Sequence, residues 1–240
     1  MRHSFGRSVV YALGVVMILS LVTFAPAQKQ SKQNKRMMDA QRRSNNAVRV
    51  FNEIMSTADR KIPKNILDKA EAVAIFPGVV KAAFIIGGRG GQGIISRRVR
   101  GGWSEPVFFN LGGGSFGAQI GASKTDYIFL IMNDEGLRGL LEDKFELGGE
   151  AGVAAGPYGR EAAASTNPTL DAGILSYSRS KGAFIGAAIK GAVINPDNDL
   201  NRAVYGMKAS ELFASTTMPM NKMPAGVRIV PQTLARYSMR

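Results

Sequence analysis

Few residues in this chain could do covalent chemistry. Its one histidine is His3, and it has no cysteine. Ser-His and Cys-His nucleophile systems therefore have nothing to be built from beyond the first residues, and thiolate metal sites are excluded. Carboxylates occur in pairs, Glu142 with Asp143 and Glu146 with Glu150, but no spacing makes them converge as a glycosidase pair would. Asp197-Asn198-Asp199 clusters oxygen atoms. A calcium loop needs six to eight oxygen ligands, and helix capping accounts for the cluster with less. Gly88-Arg-Gly90-Gly-Gln-Gly93 fits the dinucleotide fingerprint, yet Ile94 to Arg98 follow as a strand where that site requires a helix. We read it as a glycine-rich hairpin. The chain is expected to be no enzyme and to hold no cofactor and no metal.

What remains is cationic. Arg97, Arg98 and Arg100 alternate around Val99 beside Trp103, the one tryptophan. Arg179 and Lys181 flank Ser180, and Arg42, Arg43 and Arg49 lie in the N-terminal part. A guanidinium fork matches phosphate oxygens, and tryptophan favours membrane interfaces. These groups are candidates for anionic headgroups. The competing readings are a charge-guarded edge strand at 97–103 and a polar turn at 176–182.

The charge map sharpens this. The net charge is +13. Residues 28–64 hold ten basic residues against three acids, and residues 218–240 hold four against none, while 65–217 balances at 15 of each. A neutral middle with basic ends points to an anionic partner.

These side chains need elements to position them. From Ala40 to Ala58, apolar residues Ala47, Phe51, Ile54, Met55 and Ala58 recur at helical spacing, with Arg42, Arg43 and Arg49 elsewhere on the wheel. The helix either packs on a core with a solvated basic face, or lies on an anionic membrane with Phe51, Ile54 and Met55 inserted. Pro63 opens a short helix over 64–70. Ala72 to Phe76 reads as a strand stopped by Pro77-Gly78. Glycine-bearing apolar runs then follow up to Ile194 and read as strands joined by turns. Short helices interrupt at 133–141 and at 199–206, the latter with Asp199 as N-cap and Gly206 as its stop. The expected fold class is α+β: an N-terminal amphipathic helix and a curved, mostly antiparallel, glycine-rich sheet with one or two short helices. Prolines 219, 224 and 231 argue against a packed element in the tail.

Residues 1–27 have a signal-peptide layout: Arg2 and Arg7, an apolar run from Val9 to Phe24, then Ala25-Pro26-Ala27. The alternative is an uncleaved anchor. The layout predicts export through the general secretory route, to a periplasmic or secreted location with peripheral membrane association. The expected organisation is a signal peptide at 1–27, a basic disordered arm at 28–39, one domain at 40–217, and a basic, proline-containing tail at 218–240.

The stretch from Ile62-Pro63-Lys64 through Ala70-Glu-Ala-Val-Ala-Ile-Phe-Pro77-Gly78-Val-Val-Lys81-Ala-Ala-Phe84-Ile-Ile-Gly87-Gly88-Arg89-Gly90 resembles the start of a SYLF domain, also called the Ysc84-type or DUF500 domain. Gly102-Trp103-Ser104 with Pro106, the segment Ile174 to Phe184, and Asp197 to Gly206 resemble later motifs of that family, in the same order. Ala183 stands where a leucine is common. The resemblance covers roughly 45–214 and implies a lipid-binding domain. Eukaryotic members bind phosphoinositides partly through a basic amphipathic helix, fungal members also bind actin, and exported bacterial members are described as lipid-binding. Actin binding does not transfer to an exported protein. The resemblance thus implies attachment to anionic, phosphoinositide-like membrane surfaces. The alternative is an envelope structural or assembly protein that binds a protein partner, or a second copy, through sheet edges. Arms this basic would also hold nucleic acid weakly, a contact the export signal makes unphysiological.

Overall fold

Strand-forming runs dominate the middle of the chain, and they pair into one sheet. The computed structural model describes residues 24–57, 61–83, 86–116, 121–139, 145–148, 152–158, 172–180, 183–186 and 191–238. In chain order these form α1 (Phe24–Ser56), α2 (Lys64–Leu67), β1 (Ala72–Ala83), β2 (Ile86–Val99), β3 (Gly102–Trp103), β4 (Val107–Phe116) and β5 (Gly121–Ile131). Then come α3 (Asp134–Gly139), β6 (Phe145–Leu147), β7 (Val153–Ala155), β8 (Ile174–Ser180), β9 (Ala183–Gly186), β10 (Ala192–Pro196), α4 (Asn198–Tyr205), α5 (Ala209–Ala214) and α6 (Ile229–Tyr237). The strand order is β6-β10-β4-β2-β1-β5-β8-β7, with β3 on β2 and β9 on β8. Every pairing is antiparallel except β7 with β8. The α+β expectation holds. The G-x-G-x-x-G run lies within β2, in ladder with β1 and β4, so it frames no nucleotide site. Among the described residues the strands at the two ends of the path are three residues each.

Alternation along the strands divides the core in two. Val73 and Ile75 of β1 join Ile94, Phe108, Ile128 and Tyr177 on one face, and α1 and α6 cover them. Ala72, Ala74 and Phe76 join Phe109, Phe129 and Ile174 on the other, capped by Leu212 and Phe213 of α5 and by Phe145. On the first face Phe51 meets Tyr237 edge-on, with ring centroids 5.6 Å apart.

Four local expectations are corrected. First, β1 does not stop at Phe76. It continues to Ala83 through a bulge, where the register with β5 shifts between Phe76 and Val79. A bulge leaves one residue outside the ladder, so the N–H that Pro77 lacks costs no pairing. Gly78 takes φ +59° there, a left-handed value that glycine adopts without strain. Second, residues 28–39 are helical, continuous with α1. Lys, Gln, Arg, Met and Ala are good helix formers, and the helix ends where the Ser56 and Thr57 hydroxyls both donate to the Glu53 carbonyl. Third, the proline-bearing tail packs. Met223, Val227, Val230 and Leu234 are buried against α1, and Pro231 falls in the first turn of α6, where its missing N–H is not needed. Fourth, Asp197, not Asp199, caps α4: its carboxylate accepts from Leu200 N–H. Gly206 closes that helix at φ +77°, as expected.

Candidate anion-binding site

Arg42, Asn46 and Arg49 are spaced to share one face of α1. That face looks onto the bulge of β1, the middle of β2 and β5. Together with Pro77, Gly78, Gly91, Gln92 and Lys124, they line a cleft of about 350 Å³. Arg42 reaches across to Gln92 Oε1 at 3.5 Å. The side chains of Arg42 and Arg49 are 61% and 53% exposed, and Lys124 is exposed as well. The two arginines also pair with Asp39 and Glu53 on their own helix. Exposed pairs of this kind are worth little, so a better anion can displace them.

Among the described residues the one carboxylate lining the cleft is Asp126, and it is already engaged. Its Oδ1 accepts from Gly78 N–H at 2.7 Å, and its Oδ2 accepts from Arg179 Nε at 2.9 Å. Arg179 in turn pairs with Glu53 of α1, so this chain ties helix to sheet beside the cleft. A Cβ at Gly78 would come within 2.5 Å of Lys124 Cε, so the glycine also makes room for that side chain.

Arg43, next to Arg42 in sequence, does something else. It is 5% exposed and bonds Asp39 Oδ2 at 3.1 Å and Asp197 Oδ2 at 2.9 Å. It thereby fixes α1 to the capping residue of α4. Partial burial opposes ionisation of Asp39, but hydrogen bonding from Arg42 and the charge of Arg43 more than offset it. The carboxyl is held below the usual range.

Phe51 and Ile54 are fully buried and Met55 packs against the same core. Their predicted insertion into a bilayer is therefore corrected. Fully burying such side chains stabilises a fold by about 1.5–3 kcal/mol each, whereas each cation near an anionic surface contributes about 1 kcal/mol. The helix keeps its apolar face in the protein and offers only its basic face.

The second predicted cluster is largely internal. Arg98 donates to the carbonyls of Ala70 and Leu67 at 2.8 and 2.7 Å and to Ser238 Oγ, and its guanidinium lies 4.1 Å from the centre of the Trp103 ring. Trp103 is buried, its indole N–H donating to Ser238 O at 2.9 Å. Arg97 donates to Ser215 O. Only Arg100, in the β2–β3 turn, is exposed. Arg179 is the cross-link already described, and Lys181 lies outside the described residues. Nearby, Glu105 is buried. Desolvation raises its pKa, although its carboxylate accepts from its own and Met218's N–H groups.

Of the predicted residues, then, the cleft unites Arg42, Arg43 and Arg49, and it leaves Trp103 and the other arginines elsewhere. Asn46, Gln92 and Lys124 were not foreseen. Asn46 had a signal, since it lies midway between Arg42 and Arg49 on one helical face. Gln92 and Lys124 had none, because only the sheet brings them there. Among the described residues no group of His, Cys, Asp and Glu is placed to hold a metal ion, and no helix is long and apolar enough to cross a membrane. An exposed set of guanidinium, ammonium and amide donors around an engaged carboxylate can bind an anion.

Residues 112–237 match the family described as "Ysc84: Las17-binding protein actin regulator". The chain belongs to the Ysc84 family. The match runs through α6, in agreement with a packed tail. Protein YSC84 of Saccharomyces cerevisiae is 38% identical over 153 residues, 62% of this chain and 32% of its own length. LAS seventeen-binding protein 3 of the same yeast is 37% identical over 153 residues, 62% of this chain and 33% of its own length. The human SH3 domain-containing YSC84-like protein 1 is 31% identical over 179 residues, 72% of this chain and 52% of its own. This Ysc84-family chain thus spans about a third to a half of the curated relatives it matches. One of these names, LAS seventeen-binding protein 3, describes a binding protein.

Proposed function

We propose that this chain is a binding module that attaches to anionic membrane surfaces, with lipid phosphates held in the cleft between α1 and the β1 bulge. The observation that carries the reading is the convergence of Arg42, Arg49 and Lys124, all exposed, on one cleft where the only carboxylate among the described lining residues is already bound. Three such cations supply about 3 kcal/mol at an anionic surface, enough for reversible attachment and too little for permanent anchoring. The excess of basic over acidic residues along 28–64 adds long-range attraction. In this reading the contact is electrostatic and peripheral. The layout of residues 1–27 supports a place of action outside the cytoplasm, on an envelope membrane.

The test is vesicle co-sedimentation of the chain on phosphatidylcholine alone and on phosphatidylcholine with phosphatidylglycerol, at low and high salt. Binding should require the anionic lipid and weaken at high salt. Equal binding to both vesicle types would sink the reading.

A further inference from the structure

A second concavity lies away from the basic cleft. Met218, Met220 and Met223 from the segment before α6, Val99 and Arg100 at the β2–β3 turn, and Ala235 of α6 are among the residues lining a groove of about 300 Å³. Its floor and rim differ. Met223 and Trp103 are buried, while Met220 is 39% exposed. The groove is apolar and recessed, with an accessible methionine at its mouth.

Its rim is mainly cationic, with Asp68 held back by Lys64 and by the Ser238 hydroxyl. Among the described residues no carboxylate lines the groove. Arg100, which does, is exposed. Lys222, between two lining methionines in sequence, is exposed too, as is Arg236 next to Ala235. The acid nearest in the chain, Glu105, is buried and holds Met218 N–H at 3.1 Å, so it does not neutralise the rim. A bilayer is met best by apolar groups that protrude, whereas a recess fits a convex face. Methionine is unbranched and adapts to different side chains, and apolar grooves of this kind receive the anchor residues of an amphipathic helix.

We infer that this groove is a docking site for an acidic amphipathic helix of a protein partner, which places apolar anchors against Met218, Met220 and Met223 and carboxylates against Arg100, Lys222 and Arg236. Complementary charge sets the orientation and speeds encounter, while the methionines supply the apolar contact. The site is independent of the basic cleft.

The probe is a fluorescein-labelled Leu/Glu amphipathic peptide, with its Leu/Lys counterpart as control, titrated into the full chain. Binding is followed by anisotropy and by NMR of [13C]methyl-methionine protein. The acidic peptide should bind saturably and move the methyl signals of Met218, Met220 and Met223 but not that of Met38. Arg100→Glu or Met220→Glu, both at exposed positions, should weaken binding roughly tenfold or more, while Arg42→Gln should leave it unchanged. Absence of binding, equal binding of the basic peptide, or binding unaffected by both groove variants would overturn the proposal. So would movement of these three methyls on adding phosphatidylglycerol vesicles alone, which would make the groove a membrane contact. Movement that follows protein concentration without peptide would overturn it too, in favour of a second copy.

Discussion

Arg42 reaches β2 from α1 and Arg98 stands on that strand, and they serve opposite ends. Around Gln92, the guanidinium of Arg42 projects into a cleft beside Arg49 and Lys124. Near the β2–β3 turn, Arg98 is absorbed by two carbonyls, a serine hydroxyl and the face of Trp103. The difference lies in the backbone nearby. At the end of α2 and just past it, the carbonyls of Leu67 and Ala70 lie outside any ladder, and Arg98 donates to both, Leu67 O also accepting from Ala70 N–H. Around the cleft Arg42 and Arg49 bond side chains, those of Asp39, Gln92 and Glu53, and the bulge's Gly78 N–H is met by Asp126. A cation becomes available for a ligand where the surrounding main chain makes no demand on it. Arg43 repeats the lesson within one helix: its neighbour in sequence faces the cleft, while it is held between Asp39 and Asp197.

The comparison can be broken most forcefully on its structural side. Arg43→Ala would leave Asp39 and Asp197 without their shared cation, and breaking a buried pair costs about 3–5 kcal/mol. The upper part of that range is not expected here, because both carboxylates keep some exposure. We expect a loss of about 3 kcal/mol in urea unfolding. Arg98→Ala should cost about 2–3 kcal/mol through unsatisfied carbonyls and the uncovered indole. A loss below about 1 kcal/mol in either variant would mean that these arginines are not the fasteners their contacts imply.

On the functional side, Arg42→Gln, Arg49→Gln and Lys124→Gln combined should change stability by less than about 1 kcal/mol, as exposed pairs do. Gly78→Ala should cost about 1 kcal/mol through its left-handed backbone and should shift Lys124, weakening vesicle binding without abolishing it. A stability loss in the triple variant as large as that of Arg43→Ala would erase the distinction between the two kinds of arginine.

The smallest effects are in pH, and they have opposite signs. Glu105 has a folded pKa raised by burial. Its stabilising contribution is present at low pH and is lost as pH rises through the folded value, so Glu105→Gln should flatten that decline. The folded pKa of Asp39 is lowered. Its contribution is present above the unfolded value and is lost as pH falls through the folded one, so Asp39→Asn should remove that acid-side loss. Urea midpoints across the acidic range check both, and matching slopes in variant and parent would contradict the assignments.

Much of the architecture was legible in the residues. Alternating runs announced the strands, and glycine at 206 marked a helix end. The chain's basic helix was visible by period, but period alone does not say whether Phe51 and Ile54 face a core or a bilayer, since both bury the same stripe. The passage of β1 through Pro77-Gly78 was hidden because those two residues usually end a strand and here occupy a bulge. The pairing of Arg43 with Asp197 spans 154 positions, and Lys124 enters the cleft only through the β1–β5 register, where it lies opposite Val80. Such contacts are set by topology, and no local spacing encodes them. The tail misled for a similar reason. Its prolines punctuate turns, but Val227, Val230 and Leu234 find their partners on α1, far away in sequence.

The most direct test of the central claim is vesicle binding of three proteins side by side: the parent chain, the Arg42→Gln/Arg49→Gln/Lys124→Gln variant, and an Arg100→Gln/Lys222→Gln variant at the second groove. Three lost cations at about 1 kcal/mol each predict a fall of roughly a hundredfold on phosphatidylglycerol vesicles for the cleft variant, with the groove variant close to the parent. Equal losses in the two variants, or none in either, would contradict the account, because attachment would then follow total charge and not the cleft.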